Sequence, residues 1–446
     1  MNDQESSLTP AEVGELSFSI ERVGKPTLAS PLSDVLFVDD SERVSYFSEP
    51  SVGADVVCVD GGVPAFTVAG PRSHVYHDPA WTRAAIVTCG GLCPGINDVI
   101  RALVNTLYFT YGVDNVFGIQ YGFRGLVPTY GLRPIPLTPE TVDTIHENGG
   151  TILGSSRGMQ PTEEIVKTLD RLNISILFTI GGDGTQRGAR DIALAARERG
   201  LAVSVVGVPK TIDNDLNFME RTFGFETAVY KAAPVIGCAH DEAKGAYNGI
   251  GLVRLMGRDS GFIAAYATLA NSVVNFCLIP EVPFELDGPG GFLAALERRL
   301  GRKHHAVIVV AEGAGQHLFE NARNRVDKSG NTIHHDIGIL LKTRIGEFLS
   351  GRGIEHAIKY FDPSYLIRSV PAQGTDAVFC LHLAQHAVHA AMAGMTNMVV
   401  GYWHGRFVNI PIDLATRSRR KINPGGQLWQ SVMQVTQQDV WNAETP

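Results

Sequence analysis

The run Pro209-Lys210-Thr211-Ile212-Asp213-Asn214-Asp215 gathers an ammonium, a hydroxyl, an amide and two carboxylates directly after the apolar stretch 202–208. A positioned Asp can take the proton that a substrate hydroxyl loses as it attacks phosphorus. A magnesium site or a capped turn is the other use of the same residue types. Gly181-Gly182-Asp183-Gly184-Thr185 follows a second apolar stretch, 174–180. Its glycines let backbone amides approach phosphate oxygens, and Asp183 offers the hard oxygen that magnesium prefers. Thr185 reads as an N-cap by its side chain, with its backbone turned to the phosphates. Gly90-Gly91-Leu92-Cys93-Pro94-Gly95 follows a third stretch, 84–88. It is either a phosphate-approaching loop or a tight strand-to-helix turn.

Those segments need elements to hold them. Stretches 84–88, 174–180, 202–208 and 306–310 are short, rich in β-formers and alternate with helical patterns, including 97–107 and 187–197. That alternation predicts an α/β fold of mostly parallel sheets flanked by helices, with ligands at the strand ends. Residues 1–79 mix Ser, Pro, Gly and acids without sustained periodicity and read as an N-terminal extension and not as a domain. Pro289-Gly290-Gly291 and the polar stretch 321–332 read as surface loops, one of them a candidate for regulation.

A length of 446 residues favours two lobes sharing one site. The formal charge of −8, with Lys and Arg scattered, argues against nucleic acid, and the lack of a long apolar run argues against a membrane span. The six cysteines lack zinc-site spacing and read as reduced thiols. MNDQESSLTP resembles neither a secretory signal nor a transit peptide, so the expected location is cytoplasmic. Isolated histidines such as His240 and His356 carry no motif and read as structural.

The GGDGT string also resembles lipid and NAD kinases, so alone it names a chemistry and not a substrate. Together with GGLCPGIND, YGFRGL (121–126), ILGSSRG (152–158), PKTIDND, LMGRDSG (255–261), VVAEGAG (309–315) and KYFDPSYLIR (359–368), it resembles the 6-phosphofructokinases from about residue 84 to 410. The last motif is closest to the long ATP-dependent enzymes of plants, trypanosomes and some bacteria. The resemblance implies a two-lobed phosphofructokinase fold. Residues 80–225, completed by about 366–446, form the donor lobe, and 226–365 form the fructose 6-phosphate lobe. It implies phosphoryl transfer from Mg-ATP to the sugar 1-hydroxyl in glycolysis, by an allosteric homotetramer built as a dimer of dimers. Pyrophosphate-dependent transfer is the alternative reaction. A sugar-phosphate-sensing paralogue is the non-enzymatic one, marked by loss of carboxylates that are present here.

By the same resemblance, Asp213 is the base and Thr211 bonds the transferred group. Arg157 bridges donor and acceptor, beside Gly158. Gly91, Gly182, Gly184 and Thr185 line the donor phosphates, and Asp183 holds Mg2+. Ile212, Met256, Gly257, Arg258, Glu312 and Tyr365 face the sugar. Arg368, and secondarily Lys359, take its 6-phosphate, the latter residue coming from a neighbouring subunit in some relatives. Gly184 points to ATP, because pyrophosphate-using members typically carry a second aspartate there that would exclude the nucleotide α-phosphate. Lys210 occurs in pyrophosphate enzymes and in the long ATP enzymes. A flexible lysine there can move aside, so Gly184 decides for ATP.

Overall fold

The computed structural model of the chain describes residues 8–48, 55–319 and 333–438. Nine strands form the larger sheet, in the order β3 (Arg43–Ser45), β4 (Ala65–Val68), β17 (Arg406–Pro411), β16 (Met398–Trp403), β10 (Ser204–Pro209), β9 (Ile176–Gly181), β6 (Arg83–Thr88), β7 (Asn115–Ile119) and β8 (Ile135–Pro136). The five from β16 to β7 are parallel, and the outer pairings are antiparallel. A second sheet, β12 (Phe276–Leu278), β13 (His305–Ala311), β11 (Gly249–Leu255) and β14 (Ala357–Phe361), is parallel throughout. Two short pairs, β1 (Glu21–Arg22) with β15 (Met395–Thr396) and β2 (Leu28–Ala29) with β5 (His74–Val75), fasten the N-terminal segment.

The four strands expected from the sequence correspond to β6, β9, β10 and β13. Every residue of β9 and β10 is buried. Helices cover both faces of such parallel strands, which explains why they read as continuous apolar runs without alternation. Thr88 stands beside Ile180 and Gly181 beside Pro209, so the three loops that follow leave the sheet at one level. In the smaller sheet, Leu255 pairs with Ala311 and Val253 with Phe361, which does the same for the segments after β11, β13 and β14.

The helix expected over 97–107 runs Ile96–Asn105 and continues as a wider turn, Thr106–Tyr111. Gly95 precedes it at φ +93°, and a Cβ there would lie 2.6 Å from the Cys380 sulfur, so both conformation and space call for glycine. The helix expected from 187 begins four residues earlier, at Asp183, and extends to Glu198. Gly182 is its N-cap, and Thr185 is buried in its first turn. The capping role expected for the Thr185 side chain is therefore not the one it has.

The 1–79 segment supplies β3 and β4 to the edge of the larger sheet. Its apolar residues join a cluster with the sheet and with the segment after β10, in which Tyr46 stacks on Trp403 at 5.7 Å and meets Phe218 at 5.6 Å. Pro289 and Gly290 are exposed ahead of the helix Phe292–Lys303, as a loop should be. The polar stretch 321–332 lies outside the described residues.

Candidate active site

The carboxyl ends of both parallel arrays open on one cleft of about 710 Å³. From the larger sheet, Gly91 follows β6, Gly182, Asp183, Gly184 and Thr185 follow β9, and Lys210, Thr211, Ile212 and Asp213 follow β10. Arg157 and Gly158 border the same side. From the smaller sheet come Met256 and Arg258 after β11, Glu312 after β13, and Tyr365 and Arg368 after β14.

Two expected residues stand apart from this lining. Gly257, at φ +143°, turns the chain between Met256 and Arg258, and its carbonyl accepts from the Ser260 amide at 2.9 Å. Lys359 is half exposed on β14, 3.8 Å from Glu242 of the helix Phe225–Lys244. Within its own chain it does not reach the cleft.

Asp213 is the most perturbed carboxyl in the cleft. Burial, and next the charge of Asp215, push it up to about 7, against the opposing pull of Arg258 and Lys210. Its Oδ1 has no hydrogen-bond partner among the described residues, while Oδ2 lies 3.7 Å from Arg258 Nε. The Thr211 hydroxyl donates to Asp215 Oδ1 at 3.0 Å and accepts from the Asp213 amide at 3.1 Å, which sets the turn carrying both acids.

Arg157 Nη2 and Arg368 Nη1 lie 3.3 and 3.9 Å from where a Cβ on Gly91 would stand. Both guanidiniums thus converge on the first glycine loop, and Arg368 stacks its charge over the Tyr365 ring at 4.7 Å. Arg368 thus reaches from the segment after β14 of the smaller sheet to the loop after β6 of the larger one. Lys210 is buried, its ammonium disfavoured by burial, and its Nζ donates to the Gly91 carbonyl at 2.8 Å. This bond holds the lysine to the loop after β6 while its side chain still borders the cleft. A Cβ on Gly184 would meet nothing within 4 Å, so a side chain at this position would stand in open cleft.

Asp183 is raised by burial and lowered by its neighbours Arg187, at 2.6 Å, and Arg419, at 3.9 Å. Arg419 also approaches Asp215 at 3.8 Å and Asp259 at 3.3 Å, and His334 reaches Asp259 from the other side at 3.1 Å. Arg254, Arg419 and His334 all line the cleft, and sequence reasoning missed them. The basic run Arg417-Ser418-Arg419-Arg420-Lys421, unusual in an acidic chain, was a signal for Arg419.

A family model described as phosphofructokinase matches residues 83–391. An ATP-dependent 6-phosphofructokinase of Borreliella burgdorferi is 51% identical over 378 residues, 83% of this chain and 85% of its own length. One from Amycolatopsis methanolica is 46% identical over 432 residues, 94% of each chain. One from Trypanosoma brucei brucei is 47% identical over 372 residues, 83% of this chain and 76% of its own. Among solved structures, a pyrophosphate-dependent phosphofructokinase from Marinobacter aquaeolei superposes with a TM-score of 0.65 at 20% identity, covering 82% of this chain and 92% of that one. This last likeness speaks to fold alone.

Proposed function

The chain belongs to the phosphofructokinase family, and on that premise we propose that its cleft moves the γ-phosphoryl group of ATP to the 1-hydroxyl of fructose 6-phosphate, releasing fructose 1,6-bisphosphate and ADP. It works as an ATP-dependent 6-phosphofructokinase, a phosphotransferase with an alcohol acceptor, in glycolysis. The observation that carries the assignment of roles is Asp213. It is a buried, raised carboxyl with an unpartnered oxygen, lying where the ends of the two sheets meet.

In this reading the larger sheet carries the donor lobe and the smaller sheet the sugar lobe. Asp213 accepts the proton of the 1-hydroxyl as that oxygen attacks phosphorus. The Thr211 hydroxyl, fixed by Asp215, lies beside the transferring group. Arg157 spreads positive charge over the oxygens moving between donor and acceptor. The backbone of Gly91, Gly182, Gly184 and Thr185 lines the donor phosphates, and the start of the helix Asp183–Glu198 adds its partial positive charge. Arg258, Glu312, Tyr365 and Arg368 receive the sugar phosphate, with Arg368 taking the 6-phosphate through its planar fork.

Magnesium fits the donor side. It takes one or two carboxylates and completes its shell with phosphate oxygens and water. Among the described residues no group of three acids, histidines or cysteines makes an all-protein cage, whereas Asp183 supplies a hard oxygen next to the donor loop. When bound, the ion neutralises donor phosphate charge. A cytoplasmic, allosterically controlled homotetramer completes the proposal. Among the described residues no helix is long and apolar enough to cross a membrane.

The deciding assay measures fructose 1,6-bisphosphate formation with ATP or pyrophosphate as donor, with and without magnesium. Product with Mg-ATP and loss of turnover on chelation support the reading. Faster turnover with pyrophosphate overturns the donor assignment, and no product with either donor overturns the reaction.

A further inference from the structure

Arg254 is the penultimate residue of β11, and the assignment of roles above leaves it without one. Its side chain is 14% exposed and stands among acids brought from three different elements. Nη1 lies 2.9 Å from Asp362 Oδ2 just beyond β14, Nη2 lies 3.2 Å from Glu312 Oε2 just beyond β13, and Nε lies 3.6 Å from Asp336 Oδ1. The two outer acids have their own anchors. Asp336 caps the helix Ile337–Gly351, accepting from the Ile339 amide at 3.1 Å, and Asp362 accepts from the Ser364 amide at 3.1 Å. The backbone therefore sets where the guanidinium sits, and the guanidinium in turn sets Glu312.

Glu312 is gripped at both oxygens. Oε2 faces Arg254, and Oε1 accepts the amide of Arg258 at 2.9 Å. That amide bond matters because Arg258 sits in the left-handed region at φ +51°, a conformation that costs a residue with a side chain and needs outside support. From this position Arg258 reaches the base Asp213. A continuous path thus runs from Arg254 through Glu312 and the Arg258 backbone to Asp213. Glu312 also carries its charge in a cleft that holds Asp213 and Asp215 and must admit an anionic sugar. An unbalanced carboxylate there would oppose substrate entry, and a freely rotating one would orient the sugar poorly.

We propose that Arg254 is a positioning residue for the acceptor. It fixes the rotation and balances the charge of Glu312, so that this carboxylate meets the sugar hydroxyls and holds Arg258 against the base. The inference rests on the reading that Glu312 faces the sugar. A planar fork can hold two carboxylates at once, which the point charge of a lysine does less well.

The test is a double-mutant cycle of Arg254→Gln and Glu312→Gln in the full chain, with Arg254→Lys alongside, following kcat, both KM values and thermal stability. Arg254→Gln should raise KM for fructose 6-phosphate by at least ~10-fold while KM for ATP stays within about twofold, and Arg254→Lys should recover part of the loss. With Glu312 already changed, removing Arg254 should cost little more, because its effect passes through that carboxylate. Losses that simply multiply, or equal changes in both KM values, overturn the proposal. Should Arg254→Gln fail to fold, the cycle is run with Arg254→Lys, and multiplied losses there overturn it equally. A normal fructose 6-phosphate KM in Glu312→Gln instead removes Glu312 from the sugar site, and the role of Arg254 falls with that reading.

Discussion

Arg258 holds its Nε 3.7 Å from Asp213 Oδ2, although Arg258 follows a strand of the smaller sheet and Asp213 a strand of the larger one. The carboxyl assigned as base is therefore flanked by a cation from the opposite sheet. Its ionisation depends on how the two sheets meet as well as on its own loop.

Asp213→Asn should lower kcat by at least ~100-fold while leaving the KM for ATP nearly unchanged. It should also raise stability at pH 8. The Asp213 carboxyl is raised to about 7 in the folded chain, chiefly by burial, so its protonated form favours folding. That contribution is whole below the unfolded value near ~4 and is lost as pH rises through the folded value, and a neutral amide escapes the loss. Steady-state kinetics with thermal denaturation at pH 8 check both halves. Near-normal kcat in a folded variant would remove Asp213 from catalysis.

The rate should fall on the acid side at a higher pH than an ordinary carboxylate gives. The base acts only when ionised, and its raised value places the decline of kcat/KM for fructose 6-phosphate near 7. Asp215→Asn removes a neighbouring negative charge that pushes Asp213 upward, so the acid limb should move to lower pH. An unmoved limb, with the variant folded, would assign that titration to another group.

Gly184→Asp should cut ATP use by at least ~100-fold, about 3 kcal/mol in the barrier, and leave folding nearly intact. The Cβ has room, since nothing stands within 4 Å of it, and so the new carboxylate extends into the donor cleft. In the unmutated chain pyrophosphate should support under ~1% of the ATP rate, the donor choice that the resemblance at Gly184 implies. Donor titrations of both proteins decide this, and unchanged ATP kinetics in the variant would count against the exclusion.

Arg368→Ala should raise KM for fructose 6-phosphate by at least ~10-fold, since it removes a phosphate contact made before chemistry. Its nearness to Gly91 makes the ATP KM the informative control. Equal rises in both would place Arg368 on the donor side.

The strands that begin and end in one buried apolar run were legible in the sequence, as were the loops they deliver, because burial on both faces leaves a local signature. β3 and β4 were not. They are three and four residues long, and the β4 strand that holds β3 is itself anchored to β17, more than 300 positions away, so no local pattern announces them. The start of the helix at Asp183 was obscured by glycines that read as loop until Gly182 is seen as its cap. Arg254 and Arg419 were hidden for a related reason. Each is defined by acids from distant segments, and a lone arginine in sequence carries no trace of that convergence.

Phe218 lies three residues beyond Asp215 and is fully buried against Tyr46 of the N-terminal segment, which itself lies flat on Trp403. The loop that carries Asp213 and Asp215 is thus backed by side chains from the N-terminal segment and from β16. Cutting the chain at residue 80, where the recognisable motifs start, would remove Tyr46 and leave a void against Phe218, three residues from Asp215. In designing shortened or fused versions of this chain, the N-terminal segment has to travel with the enzyme as part of its foundation.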